Sequence, residues 1–180
     1  MNKNKFRTLD LVYMAVCAAL ICVCTWISIP AVVPFTMQTF AVFAALELLG
    51  AKRGSVSVLL YILLGAVGLP VFSNFRGGLG VLFGMTGGYI VGFVFICLVY
   101  AAALKLLGSG RWVRIAALVL GLFVCYAFGT IWFINVYTAK SGPISIGTAL
   151  SMCVFPFIIP DCIKLFLAML VSGRVKKYLR

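Results

Sequence analysis

Residues 11–29 carry no charged side chain, and comparably apolar runs return at 35–50, 55–69, 86–107, 115–137 and 157–172. This succession, with lysine and arginine confined mostly to short clusters between the runs, limits the fold more than any other feature. A helix needs about 20 apolar residues to cross a bilayer. Within lipid every backbone N–H and C=O must find a partner in the chain itself, which helices provide. The six runs therefore predict an all-α integral membrane protein. The expected form is a six-transmembrane-helix bundle filling residues 1–180 as a single domain embedded in the lipid bilayer. Charged residues make up 10% of the chain, against about 25% in soluble proteins. The first run is longer than a signal-peptide core of roughly 7–15 residues, and no small-residue cleavage site follows it, so it is expected to stay as a span.

The net charge of +12 invites a nucleic-acid reading, but the distribution of the cations opposes it. Twelve of the fifteen basic residues fall on one side of such a bundle: Lys3, Lys5 and Arg7; Lys52 and Arg53; Lys105, Arg111 and Arg114; Arg174, Lys176, Lys177 and Arg180. Arg76 and Lys140 fall on the other, and Lys164 lies within a span. Basic residues gather on the cytoplasmic side of membrane proteins. Both termini are thus expected in the cytoplasm of a multi-pass protein of the cell membrane, with no nucleic-acid partner.

Only three residues are acidic, Asp10, Glu47 and Asp161. Asp161 lies inside the last apolar run, with Lys164 three positions on, a spacing that puts both side chains on one helix face. Ionisable groups at membrane depth are costly and face a cavity or one another. The pair is either part of a polar ligand site or a neutral structural staple between helices. Glu47, near the end of its run, reads as an interfacial residue in reach of Lys52 or Arg53. Thr8 or Asp10 is placed to cap the first helix.

Seven cysteines all fall in apolar runs and read as small buried hydrophobes, with no disulfide framework and no metal site. The chain has no histidine and no glycine-rich phosphate loop followed by Lys-Ser/Thr, so ATP hydrolysis would have to come from a partner. Scattered carboxylates make an enzyme, such as an integral-membrane lipid enzyme with Asp161 as acid or base, a poor fit. No resident cofactor is expected.

Residues 70–85 are the least regular part, with four glycines, Asn74 and Arg76 among aromatics. Irregular backbone near a membrane is buried in protein or lines a wet cavity. The segment reads as a glycine-rich outer loop capping a pocket. Gln38, Tyr89, Asp161, Lys164 and the aromatic end of the fifth run would all lie beneath it. On the first run, Ala15 and Ala19, with Ala18 beside them, form a small-residue face for close helix approach, either within the bundle or to another chain.

Five segments occur in order: Pro34-Phe-Thr-Met-Gln-Thr-Phe40, Gly65-x-x-Gly-Leu-Pro-Val-Phe72, Gly77-Gly-Leu-Gly80, Thr86-Gly-Gly-Tyr89 and Pro160-Asp-x-x-Lys164. Together they resemble the BioY family, the biotin-specific S components of energy-coupling factor (ECF) transporters, over roughly residues 10 to 173. The resemblance implies a membrane subunit that binds biotin from outside and works with a transmembrane T component and two cytoplasmic ATPase subunits. It implies that Asn74, Asp161 and Lys164 are ligand-binding residues, with Gln38 and Tyr89 at motif positions beside them. It also implies that Ala15 and Ala19 dock the T component. Arg76 stands where a small or neutral residue would be expected, and is a candidate partner for the ligand carboxylate. Phe72, Tyr89 and Trp132 are candidates to line the ligand's fused rings. The nearest alternative is an S component for another small vitamin.

Overall fold

The computed structural model describes residues 7–178, so Lys3, Lys5 and Arg180 of the basic clusters lie outside the described residues. Helix α1 spans Thr8–Trp26, and a short antiparallel pair follows, β1 Ser28–Ile29 with β2 Phe35–Thr36. Then come α2 Gln38–Ala66, a 3-10 turn Ser73–Phe75, α3 Leu79–Leu82 and α4 Gly87–Leu107. The chain ends with α5 Arg111–Ser141, α6 Ile146–Cys153 and α7 Phe155–Val175. Among the described residues, five helical stretches are long and apolar enough to cross a membrane, α6 and α7 counting as one.

Helix α2 is continuous only by name. Gly50 inside it has φ 77 and ψ 174, a conformation that glycine adopts without the steric cost a side chain would carry. The Gln38 amide nitrogen donates to the Tyr61 hydroxyl at 2.7 Å. In a straight helix these residues would stand about 35 Å apart. Residues 38–49 and 51–66 are therefore two rods folded back on each other. The break between the runs 35–50 and 55–69 shrinks to Gly50 alone, because Ala51 to Gly54 already belong to the second rod. The first rod starts at Gln38 rather than near 35, since Phe35 and Thr36 pair with β1.

The sequence reading is corrected at other ends too. Arg7, not Thr8 or Asp10, takes the cap position of α1, and the Asp10 carboxylate accepts the Arg7 backbone N–H at 3.0 Å. Helix α5 runs beyond the expected 115–137 at both ends, so Arg111 and Arg114 sit in its first turns and Lys140 in its last. At 31 residues it is about 46 Å long, and its apolar stretch marks where lipid would lie rather than where helical hydrogen bonding stops. Helix α7 begins at Phe155 instead of near 157, with Pro156 in its first turn, where a missing N–H costs nothing. Cys162 is exposed, while the other six cysteines are buried. Consecutive helix positions diverge by about 100°, so the residue after buried Asp161 looks outward.

Helices α4 and α5 approach closely because α4 presents Gly88 and Gly92 one turn apart. A Cβ on Gly88 would overlap Trp132, and one on Gly92 would lie 2.6 Å from the Cys125 sulfur. Small residues four apart are a common means of bringing membrane helices together.

One end of the bundle is tied by ions. Asp10 of α1 pairs with Arg53 of α2 at 3.1 Å. Glu47, 2% exposed, pairs with Arg114 of α5 at 3.2 Å and Lys176 after α7 at 3.7 Å. It also accepts the Tyr100 hydroxyl of α4 at 2.9 Å. Glu47 is thus a buried hub whose ion partners are Arg114 and Lys176, while Arg53, one of its expected partners, goes to Asp10.

Candidate ligand site

At the end opposite this hub the helices leave a cavity. It encloses about 640 Å³ of space between atoms, including the part open to solvent. Residues 33–39, α4, α5 and α7 form its walls, and Ser73 of the irregular segment reaches it from above.

Asp161 lies at its side, 2% exposed. Its Oδ1 accepts from Lys164 Nζ and from Thr39 Oγ1, each at 2.8 Å. Its Oδ2 accepts the Tyr126 hydroxyl at 2.5 Å. Three donors leave an ionised carboxylate about one further acceptor position, on Oδ2. Lys164, 4% exposed, also lies 4.1 Å from the centre of the Phe35 ring, a cation–π contact. Phe35 in turn stacks on Phe157 at 6.0 Å. Strand β2 therefore holds the cation in place from above while α7 supplies both charges.

The other expected residues divide into two groups. Gln38 and Tyr89 line the cavity beside Asp161 and Lys164. The Tyr89 hydroxyl is tied to Thr130 Oγ1 at 3.0 Å, so its ring, lying over Gly129, is the part held rigidly. Asn74 and Arg76 are exposed and line an adjoining outer depression with Lys140. Pro34, Ser73 and Thr86 border both spaces, so this depression is the cavity's vestibule. Asn74 sits in the left-handed region (φ 58, ψ 33) within the 3-10 turn.

Phe72 and Trp132 are not among the cavity's walls. Phe72 is fully buried, edge-on to Tyr61 at 5.6 Å. Trp132 Nε1 donates to the Gly84 carbonyl at 3.0 Å, and Trp26 Nε1 donates to the Pro70 carbonyl at 2.8 Å. These aromatics pin the irregular segment 70–85 to the bundle.

Thr39, Tyr126 and Phe35 were missed as site residues. Thr39 and Phe35 stand inside the segment Pro34-Phe-Thr-Met-Gln-Thr-Phe40, and Tyr126 among the aromatics of α5. Their signal was hydroxyl or aromatic groups at apolar positions, which many membrane helices carry without a site. On α1, Ala15 and Ala19 are exposed and Ala18 is buried. The small-residue face thus splits, one part packing inside the bundle and the other facing out.

The chain matches the BioY family over residues 1–180. A protein named biotin transporter BioY from Thermotoga maritima is 43% identical over 169 residues, covering 93% of this chain and 96% of the relative. A protein named probable biotin transporter BioY from Pyrococcus horikoshii is 37% identical over 144 residues, 80% of this chain and 81% of the relative. Among solved structures, the S component for biotin from an ECF-type ABC transporter superposes with a TM-score of 0.81. It is 30% identical and covers 98% of this chain and 95% of its own. From the family match, the identities and the shared fold together, this chain belongs to the BioY family.

Proposed function

We propose that the protein is the biotin-binding membrane subunit of an ECF-type importer, a transport protein rather than an enzyme. The observation that carries this reading is the Asp161 carboxylate, buried beside a cavity with one acceptor position open. Biotin's ureido ring offers two N–H donors and one carbonyl. Asp161 accepts one N–H, and Lys164 holds the carboxylate in its charged form while its remaining donors serve the carbonyl. Gln38 and the Tyr89 ring flank the bicyclic rings. Asn74, on the vestibule side, is positioned to close over the ligand, and Arg76 with Lys140 attracts the valerate carboxylate. Six crossings, with the rods 38–49 and 51–66 counted separately, put both termini on the cytoplasmic side.

Energised uptake then requires a T component and two ATPase subunits. The outward face of α1 at Ala15 and Ala19 suits docking of the T component, since small residues allow close helix approach. Adding labelled biotin to the purified protein should give tight, one-to-one binding; no saturable binding would overturn the reading. Ala15→Trp or Ala19→Trp should abolish uptake while biotin binding to the isolated subunit stays unchanged. Assembly of such a variant with the T component would remove the docking assignment.

A further inference from the structure

A second, separate cleft opens at the ion-tied end, lined by Glu47, Arg111, Arg114, Met169, Leu170 and Lys176 among others. Three cations face one carboxylate there. Glu47 is already paired: Oε1 accepts the Tyr100 hydroxyl, and Oε2 lies against both Arg114 and Lys176. One cation would neutralise it, so the cleft keeps an excess of two positive charges. Arg114 Nε is buried without a hydrogen-bond partner, and a buried unpaired donor is costly. Arg111 is exposed three residues before Arg114, and the first turn of α5 has no side-chain cap, leaving free backbone N–H groups beside it. Burial pushes the Lys176 ammonium below its ordinary value, with the Glu47 carboxylate pulling the other way.

The surroundings identify the source of an anion. Trp112, next to Arg111, is 81% exposed, and Leu170, a wall of the cleft, is 41% exposed. Tryptophan concentrates at headgroup level, and an apolar wall beside cations suits a molecule that is anionic at one end and acyl at the other. We propose that this cleft binds a phosphate ester, presented by the headgroup of an anionic glycerophospholipid, through Arg111, Arg114 and Lys176. Basic pockets between membrane helices on the cytoplasmic side are suited to such headgroups. The inference rests on the chain's crossing a membrane and not on biotin binding.

The test uses the full chain purified in detergent, mixed with equal amounts of phosphatidylglycerol and phosphatidylcholine, and reads retained lipid by native mass spectrometry. Phosphatidylglycerol should be kept preferentially. Arg111→Gln combined with Lys176→Gln should weaken that preference roughly thirtyfold, at about fivefold for each cation removed. Equal retention of both lipids by the parent, or an unchanged preference in the variant, overturns the proposal. If the double variant does not fold, Arg111→Gln alone should still cost about fivefold, and no change there overturns it. sn-Glycerol 3-phosphate distinguishes the two sources of the same chemistry. Inability to displace the lipid at equal concentration supports the lipid; full displacement overturns it in favour of a soluble ester. Lipid retention is read without biotin, so failure here and failure of biotin binding are separate results.

Discussion

Glu47 and Asp161 are built from the same parts and serve different ends. Each is a carboxylate at 2% exposure, and each accepts a tyrosine hydroxyl from a neighbouring helix, Tyr100 for one and Tyr126 for the other. The cations differ in where they come from. Glu47 takes Arg114 and Lys176 from beyond its own helix, so its ion pairs join α2 to α5 and to the end of α7. Asp161 takes Lys164 from its own helix, three residues on, and that pair joins nothing to α7. Its long-range partners are two hydroxyls, and a cavity lies alongside. A buried ion pair alone therefore does not mark a ligand site. Glu47 also lines a cleft, so what separates the two is that the Asp161 charge is neutralised within its own helix while Glu47 spends its ion pairs on other elements.

The comparison breaks most visibly at Asp161. Asp161→Asn keeps the shape but removes the charge that Lys164, Thr39 and Tyr126 converge on. Loss of a buried charged partner costs about 2–5 kcal/mol, or roughly 30- to several-thousand-fold in biotin affinity by calorimetry. The variant should still fold, but Lys164 is left buried without its counter-charge, so a lower melting temperature is expected beside the loss of affinity. Unchanged affinity would move the site away from Asp161. Glu47→Gln should act on stability alone. Breaking a buried pair costs roughly 3–5 kcal/mol, and the partly exposed Arg114 and Lys176 place this case near the lower figure. A fall in thermal stability is expected, with biotin affinity of the folded fraction unchanged; a large loss of affinity at constant stability would make Glu47 part of the site.

Smaller changes sharpen the contrast. Tyr126→Phe removes one charge-assisted hydrogen bond of about 1.5–3 kcal/mol, so biotin affinity should fall by roughly 10- to 100-fold. Thr39→Val, which removes a weaker donor to the same carboxylate, should cost about 1 kcal/mol, or roughly fivefold. Equal affinities for parent and Thr39→Val would show that the Thr39 hydroxyl only fills space. Both changes are read by biotin titration beside a melting curve, which separates ligand loss from unfolding.

Much of the bundle was legible because hydropathy and charge act residue by residue. The apolar runs fall on helices whose ends differ from theirs by a few residues, and Pro160-Asp-x-x-Lys164 announced a same-face ion pair that is present at 2.8 Å. What was misread depended on ends and on facing. A break was expected between the runs 35–50 and 55–69, yet Gly50 alone, with a φ of 77, reverses the chain in one step. Glu47 was expected in reach of Lys52 or Arg53, and its ion partners came instead from α5 and the end of α7. The glycines at 88 and 92 gave no warning of their role, since a missing side chain becomes informative only when a partner helix fills the space.

The sequence alone determined the solvent of this protein, its helical class, and the pairing of Asp161 with Lys164. These follow from transfer energies and from the period of the helix, both of which are local. Tertiary structure decided which cations reach Glu47 and which cavity Asp161 lines. It also brought Thr39 and Tyr126, from elements far apart in the chain, onto the two oxygens of Asp161, and kept Asn74 and Arg76 in the vestibule. Those outcomes depend on how rods turn at Gly50 and pack at Gly88 and Gly92, and such orientations arise only from contacts between residues distant in sequence.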